Sequence, residues 1–262
     1  MITLEYRNLT TLITGASAGI GEEFARTLAA KGTNVILVAR SVDKLSALAE
    51  ELRSTHGIRA EVIGSDLSVP GAAASLVADV DALGIEIDLL INNAGFGTYG
   101  DLADADPARI RDEVSLNVAA LTDLTTIYVQ RMTARKSGSI INVASTAAFQ
   151  PVPHMAVYAA TKAYVLSLSE ALWWEAKRHG VRVLALCPGA TDTAFFDVAG
   201  SDDAAVGTRR STRQVVDTAL SALEAGKPSV VDGLANQLSA SSSRLAPRRA
   251  VLAVAERAVR PR

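Results

Sequence analysis

Cysteine is almost absent from this sequence. Cys187 is the single cysteine, so the chain cannot form an intramolecular disulfide bond, and its three histidines form no group with the spacing of a zinc site. A disulfide-stapled scaffold and a structural zinc site are therefore excluded as the basis of the fold. We expect a protein of a reducing compartment, the cytoplasm.

Charge of one sign and long apolar runs are also lacking. The 26 Lys and Arg residues nearly balance the 28 Asp and Glu residues, for a formal net charge of −2, so no general field would attract nucleic acid or an anionic membrane. No segment reaches the ~18 consecutive apolar residues of a membrane-spanning helix, and the first residues lack the pattern of a secretory signal. A small molecule is therefore the expected partner.

The sequence does contain a regular alternation of short apolar runs with longer helical patterns. Hydrophobic residues make up 49% of the 262 residues, which suffices for the core of one large domain. Runs that are apolar throughout, without polar alternation, are typical of parallel strands covered by helices on both faces. The predicted strands are Leu12–Thr14, Val35–Ala39, Ala60–Ile63, Leu89–Ile91, Ile140–Val143, Val181–Leu186 and Ser229–Val231.

This alternation predicts an α/β fold of the Rossmann type, with a doubly wound parallel sheet in a single three-layer α/β/α domain. In such folds ligands bind beyond the carboxyl ends of the strands, so functional residues are expected directly after each strand. We expect residues 1–232 to form this domain and residues 233–262 to form a helical, basic extension, with six arginines and one glutamate after Ser243. A solvated tail is favoured there over contact with a membrane surface.

A glycine-rich turn, Thr14–Gly21, follows the first predicted strand and leads into a helix expected from Gly21 to Ala30. Glycine permits positive φ angles and close approach of backbone to a ligand, and the free amides of a helix N-terminus favour a pyrophosphate. Such a turn also occurs where a strand and a helix simply need to pack closely. Its candidate cofactor-binding residues are Gly15, Ser17, Gly19, Ile20 and Gly21.

Arg40 follows the second strand, about 25 residues after Gly15, where an NAD-binding fold usually places an acidic residue against the ribose 2′-hydroxyl. An arginine there offers a permanently charged fork that suits a 2′-phosphate, so NADP(H) is preferred over NAD(H). Asp66, after the third strand, is a candidate for contact with the adenine, and a role as a helix cap or turn residue is equally consistent with the sequence.

Tyr158 and Lys162 stand four residues apart within a helix predicted from Met155 to His179, so both project from one face. A phenol with a pKa of about 10 is a poor base at neutral pH, but an adjacent ammonium group favours its phenolate. A core-edge tyrosine beside a solvated lysine would give the same spacing, so the pair needs independent partners.

Two polar residues qualify as those partners. Ser145 closes the fifth strand at the ligand-binding edge of the sheet, where its hydroxyl group can orient a carbonyl or simply cap the strand. Asn117 lies among apolar neighbours in a helical region, Pro107–Ala134, so its amide must find hydrogen bonds inside the protein. It bonds the backbone, or it holds a water that links Lys162 to solvent.

The complete set resembles the short-chain dehydrogenase/reductase family over nearly the whole chain. The resemblance rests on the glycine turn, Asn92–Gly95, Asn117, Ser145, Tyr158 with Lys162, and Pro188-Gly189, all in the family's order. It implies an NADP(H)-dependent oxidoreductase that interconverts an alcohol and a carbonyl compound by hydride transfer. Tyr158 would then be the acid in reduction and the base in oxidation, with Lys162 as ribose ligand and modulator of the phenol. Ser145 would orient the carbonyl, and Asn117 would belong to a proton relay.

The resemblance also implies further cofactor contacts and a homodimer or homotetramer. Asn93, Ala94 and Gly95 are expected to meet the adenosine ribose, and the turn after the sixth strand is expected to meet the nicotinamide carboxamide. Outside the family context, both segments are ordinary turns. The candidates in the later turn are Pro188, Gly189, Thr191 and Thr193, of which Thr193 is the best hydroxyl candidate.

Substrate identity is less constrained by the sequence. Few charged residues lie near the motifs, which favours a neutral or apolar substrate, and Gly200–Arg213 is either an ordinary surface connection or a substrate lid. The candidates for lining an apolar pocket are Phe96, Tyr99, Phe149, His154, Phe195 and Phe196.

Two other functions fit parts of this pattern. A non-catalytic NADP(H)-binding regulatory protein would share the fold, but the intact set around Tyr158 argues against it. A methyltransferase also has a glycine-rich turn, but it would leave the Tyr/Lys pair and Arg40 without a shared purpose.

Overall fold

A parallel sheet lies at the centre of the structure, a computed structural model that describes residues 5–200, 207–243 and 246–260, without the side chains of Phe196 and Asp197. The strands run β1 Thr10–Thr14, β2 Asn34–Ala39, β3 Ala60–Gly64, β4 Leu89–Asn92, β5 Gly138–Val143, β6 Val181–Cys187 and β7 Ser229–Val231. They pair in the order β3-β2-β1-β4-β5-β6-β7, and every pairing is parallel. The predicted doubly wound sheet is confirmed.

Helices cover both faces of this sheet, which confirms the three-layer arrangement. The helices are α1 Gly19–Ala30, α2 Val42–His56, α3 Ala72–Ala82, α4 Pro107–Val114, α5 Leu121–Arg135, α6 Ala156–Lys177, α7 Phe195–Ala199, α8 Thr212–Glu224, α9 Leu234–Ser242 and α10 Arg248–Val259. On one face α1, α2 and α8 pack against Ile13 and Leu37, and on the other face α3, α5 and α6 pack against Leu12 and Ile36. Neighbouring residues of one strand thus enter opposite cores, as the alternation of side chains along a strand requires.

The position of the ligand crevice follows from the strand order. The strand β1 pairs with β2 on one side and with β4 on the other, so the chain changes direction across the sheet at this point. In doubly wound sheets the loops beyond such a switch diverge and leave a crevice at the carboxyl ends of the strands. The glycine turn after β1 and the Asn93–Gly95 segment after β4 border this crevice.

The helical region predicted from Pro107 to Ala134 is interrupted. The helix α4 passes into a π-helical stretch, Ser115–Ala120, before α5 begins at Leu121. Insertions of this kind are rare and frequently mark functional sites, because they change the direction of side chains on one turn. Asn117 lies in the middle of the insertion.

The C-terminal segment corrects one expectation. Residues 248–259 are not a solvated tail, because α10 folds back onto the domain and Val259 is buried against Val152, Met155 and Tyr158. The hydroxyl group of Tyr99 donates a hydrogen bond of 2.6 Å to the carbonyl oxygen of Val259. Among the described residues, no helix combines the length and the apolarity needed to cross a membrane.

Candidate active site

A cavity of about 980 Å³ opens at the carboxyl ends of the strands and brings together nearly all of the residues predicted from sequence. Gly21 and Asn117 do not line it, although each touches a residue that does. The predicted residues that line it are Gly15, Ser17, Gly19, Ile20, Arg40, Asp66, Asn93, Ala94, Gly95, Ser145, Tyr158, Lys162, Pro188, Gly189, Thr191 and Thr193.

The glycine turn forms a cradle that larger side chains would fill. Gly15 and Gly19 have φ angles of 66° and 60°, a region that other residues rarely adopt. A Cβ atom would lie 2.8 Å from Nδ2 of Asn93 at Gly15 and 2.9 Å from Cγ2 of Thr193 at Gly19. The helix α1 begins here with Ala18 as its N-cap, whose side chain cannot cap the helix, so the first amides remain free to meet an anion.

Gly21 also has a packing role. A Cβ atom at this position would collide with the carbonyl oxygen of Gly15, so only glycine lets α1 approach the turn this closely. Close packing of strand and helix, the alternative role predicted for the glycine turn, therefore applies to this third glycine.

The segment after β4 is tied directly to the glycine turn. The hydroxyl oxygen of Thr14 accepts hydrogen bonds of 3.0 Å from the backbone amides of Asn93 and Ala94. In return, Nδ2 of Asn93 donates to the carbonyl oxygens of Thr14 and Gly15, at 3.0 and 3.1 Å. These reciprocal bonds fix the two sides of the crevice relative to one another.

Arg40 extends from the end of β2 into solvent at the rim of the cavity. Its side chain is 76% exposed, and its ion pair with Asp66 is long, at 3.9 Å. Asp66 accepts hydrogen bonds from the hydroxyl group and the backbone amide of Ser68, at 2.7 and 3.0 Å, and these bonds hold the pKa of Asp66 below its usual range. Asp66 is thus a turn residue that also lines the cavity, while the guanidinium group of Arg40 stays available to an anion.

Tyr158 and Lys162 lie side by side on α6, as their spacing predicts, and both are buried. The ammonium group of Lys162 donates a hydrogen bond of 2.8 Å to the carbonyl oxygen of Val143 and lies 5.7 Å from the centre of the Tyr158 ring. Burial lowers the pKa of Lys162 to about 8. The lysine therefore remains largely protonated at neutral pH.

The pKa of Tyr158 shifts in the direction opposite to the one expected from its neighbour. Burial raises it to about 12, and hydrogen bonding to Ser145 offsets only part of this effect. The spacing in the sequence shows that the charge of Lys162 is near, but it does not show that the phenol is buried and desolvated. Tyr158 is consequently protonated at neutral pH and able to donate.

Ser145 faces the same cavity from the end of β5. Its hydroxyl oxygen accepts a hydrogen bond of 3.1 Å from the amide of Ala147, so it caps the short 3₁₀ helix Thr146–Phe149. Capping uses the hydroxyl oxygen and leaves the proton of Ser145 to hydrogen-bond on the cavity side, where Tyr158 lies. The two readings of Ser145, cap and site residue, are therefore compatible.

Asn117 satisfies its amide within the protein. Its Nδ2 donates to the carbonyl oxygen of Phe96 at 2.8 Å and to the hydroxyl of Thr161 at 3.2 Å, and its Oδ1 accepts from the amide of Phe96 at 3.1 Å. A Cβ atom at Gly95 would lie 2.8 Å from Oδ1 of Asn117 and 3.4 Å from Nζ of Lys162. Gly95 thus lets Asn117 and Lys162 approach the same point of the loop.

The apolar side of the cavity includes residues that sequence reasoning missed. Phe96 and Phe195 line it as expected, and the ring of Phe195 lies 5.3 Å from that of Tyr158. Tyr99, Phe149 and His154 are not part of its lining, and the side chain of Phe196 lies outside the described residues. The missed lining residues are Val152, Met155 and, from α10, Ala250, Val251, Val254, Ala255, Ala258 and Val259.

The segment Gly200–Arg213 can be followed only in part, since residues 201–206 lie outside the described residues. Its far end is anchored beside the cavity, where Arg210 forms a parallel bridge with Thr191 and an ion pair with the buried Asp232. The described end of the segment is thus fixed to the domain by an ion pair and a backbone bridge.

Residues 9–204 match the family model described as short chain dehydrogenase. This chain belongs to the short-chain dehydrogenase family. The short-chain dehydrogenase of Sphingobium yanoikuyae in complex with NADPH superposes with a TM-score of 0.83 at 33% identity, over 90% of this chain and 93% of that one.

The curated relatives with hydroxysteroid names include one bacterial and one vertebrate protein. The 7beta-hydroxysteroid dehydrogenase of Collinsella aerofaciens is 32% identical over 182 residues, which are 70% of this chain and 68% of that protein. Hydroxysteroid dehydrogenase-like protein 1 of Gallus gallus is 33% identical over 179 residues, 68% of this chain. The match spans about half of the chicken protein, 54% of its length. Membership of this family makes the chain an oxidoreductase of alcohol and carbonyl groups.

Proposed function

We propose that this short-chain dehydrogenase interconverts an uncharged, apolar carbonyl compound and its alcohol with NADP(H), and that Tyr158 is its acid/base residue. The observation that carries the proposal is the meeting, in one cavity, of the Tyr158 phenol, the Ser145 hydroxyl and the cradle formed by Gly15 and Gly19. Each of these groups taken alone could have a purely structural role, but their presence in one cavity supports a common catalytic role.

The residues of the cavity fit a phosphate-bearing dinucleotide. The free amides at the start of α1 suit the pyrophosphate, and the exposed guanidinium group of Arg40 suits a 2′-phosphate, which favours NADP(H) over NAD(H). Asp66 and Thr193 line the same cavity, and Thr193 lies beside Gly19 of the glycine turn. When bound, the cofactor supplies or accepts the hydride.

Residues of the chain itself donate and accept the proton. Ser145 and Tyr158 donate toward the substrate oxygen, and Tyr158, protonated at neutral pH, releases its proton to that oxygen as the carbonyl is reduced. The charged Lys162 then stabilises the phenolate that remains. In oxidation the same phenolate accepts the proton of the alcohol.

The lining of the substrate side supports an apolar substrate. Beyond Tyr158 the walls are Val152, Met155, Phe195 and the face of α10 that carries Val251, Ala255 and other small apolar residues. This side of the cavity would bind a substrate through apolar contact, whereas the charged lining residues Asp106, Arg109 and Asp112 belong to α4 and its N-cap. The small alanine side chains of α10 leave space for a bulky substrate, in keeping with the hydroxysteroid names of the two relatives.

The test is NADPH oxidation by the purified protein with a panel of apolar ketones and aldehydes, comparing wild type with Tyr158→Phe. Loss of the donating hydroxyl should reduce turnover by about 10² to 10⁴, because a positioned acid contributes that much, while NADPH affinity stays unchanged. Tyr164→Phe is the matched control, since Tyr164 lies on the same helix, is 41% exposed and does not line the cavity.

Two outcomes would contradict the proposal. Wild-type turnover in Tyr158→Phe would remove the acid role of that residue. NADPH binding without turnover of any carbonyl compound would favour a regulatory protein on this fold. Assembly as a homodimer or homotetramer stays a prediction, as does a domain boundary at residue 232.

A further inference from the structure

Glu113 is a carboxylic acid in the interior that the proposed mechanism does not use. It lies on α4, one turn before Asn117, and its exposed fraction is 0%. Within the described part of the chain, neither of its carboxylate oxygens has a hydrogen bond of good geometry. Burial of an ionisable group without full compensation is unfavourable, so such groups are candidates for a functional role.

The loop after β4 separates Glu113 from the reacting groups. Asn117 holds this loop through both backbone groups of Phe96, and Glu113, one turn earlier, lies beside Thr98. Between these two points, Gly97 faces Tyr158: a Cβ atom there would lie 3.0 Å from Cδ2 of the ring. Glu113 and Tyr158 are therefore separated by one segment of backbone, the loop after β4.

The charged groups that face Glu113 come from its own helix and from α6. Arg109 is one turn earlier on α4, and its guanidinium group donates to the carbonyl oxygens of Gly97 and Val198, at 3.3 and 2.6 Å. Burial raises the pKa of Glu113, while weak hydrogen bonds from Thr98 and the charges of Arg109 and Lys162 lower it. In turn, an ionised Glu113 raises the pKa of Tyr158 and that of Lys162.

We propose that Glu113 is a positioning residue of the reaction, which supports the Gly95–Thr98 loop against Tyr158 and supplies the negative charge that sets the working pH range of the Tyr158–Lys162 pair. This inference rests on the proposed function, in which Tyr158 is the acid and base. Glu113 acts through its charge and through the loop, and it touches neither substrate nor cofactor.

Glu113→Gln tests the charge, because it preserves the shape of the side chain and removes the ionisable group. The measurement is kcat/KM for alcohol oxidation as a function of pH, in which the rate rises as Tyr158 loses its proton. Without the negative charge of Glu113 the pKa of Tyr158 falls, so the rising limb should move by about one unit to lower pH, the shift typical of a nearby charge. In the reduction direction, the falling alkaline limb should move the same way.

Three variants make the result decisive. Glu113→Asp retains the charge and should keep the limb near its wild-type position, and Asp104→Asn removes an exposed carboxylate just before α4 and should leave the profile unchanged. If Glu113→Gln does not fold, Glu113→Met is a second neutral variant of similar length. An unshifted limb in a folded neutral variant overturns the inference, even when Tyr158→Phe is inactive. Turnover retained in Tyr158→Phe is a different result, because it contradicts the proposed function itself.

Discussion

Arg40 lies at the end of β2 with most of its side chain in solvent, and its ion pair with Asp66 is long, at 3.9 Å. A guanidinium group in this state has hydrogen-bonding capacity to offer a phosphate. The proposed preference for NADP(H) rests on this side chain, and the sequence suggests it because Rossmann-type folds meet the ribose 2′ position directly after the second strand.

Arg40→Ala should separate the two cofactors. Loss of a charge-assisted contact worth about 1.5 to 3 kcal/mol should raise the KM for NADPH roughly 10- to 100-fold and leave that for NADH nearly unchanged. Steady-state kinetics with both cofactors checks this, with Arg213→Ala as control, since Arg213 lies exposed on α8. An equal loss for NADPH and NADH would place the 2′-phosphate elsewhere.

Other residues show the limit of sequence reasoning. Tyr158, Lys162 and Ser145 were identified because their spacing and their place after a strand are local features. Glu113 is not predicted from the sequence because it follows Arg111 and Asp112, and such a run of charges is typical of a solvated helical face. A signal did exist, since Glu113 precedes the singled-out Asn117 by four residues and therefore shares its side of the helix. Its burial, like the desolvation that raises the pKa of Tyr158, depends on packing that no local pattern contains.

At the scale of elements, the strands were predicted to within two residues because continuous apolar runs mark buried parallel strands. The helix α10 was misjudged. Its alternation of arginine and apolar residues fits either a free amphipathic tail or a packed helix, and the choice depends on the shape of the surface that receives it. In the structure that surface is the rim of the cavity beside Tyr158.

Ala255→Leu tests whether α10 is a wall of the substrate pocket. The larger side chain would occupy space in the cavity, so kcat/KM for bulky ketones should fall about tenfold or more, while small ketones are reduced at nearly the wild-type rate. Ala253→Leu introduces the same side chain two residues away, at an exposed position that does not line the cavity. Equal effects of both variants on both substrates would mean that α10 contributes only to stability.

At the scale of the whole molecule, the cofactor crevice joins the two halves of the sheet. The bonds between Thr14 and Asn93 already connect them, and a dinucleotide would contact residues that follow β1, β2, β4 and β6 at once. A ligand that spans several elements stabilises the fold as a unit, because it binds the folded state alone.

Thermal unfolding should therefore report cofactor preference without any substrate. NADPH at 100 times its Kd should stabilise the protein by about 2.7 kcal/mol, equivalent to a rise of roughly 5 to 10 °C in Tm, and NADH at the same concentration should give a smaller rise. Tyr158→Phe should retain the shift, since Arg40 and the glycine turn, which would meet the phosphates, are unchanged in that variant. No shift with either cofactor would argue against dinucleotide binding.

The buried carboxylate of Glu113 has a consequence for engineering. Because burial raises its pKa, its contribution favours the folded protein at pH values below the unfolded-state pKa and is lost as the pH rises through the folded-state value. Directed evolution that selects for heat resistance near neutral pH would thus tend to replace Glu113 with a neutral residue. The resulting variants would unfold at higher temperatures and have their activity profile shifted to lower pH.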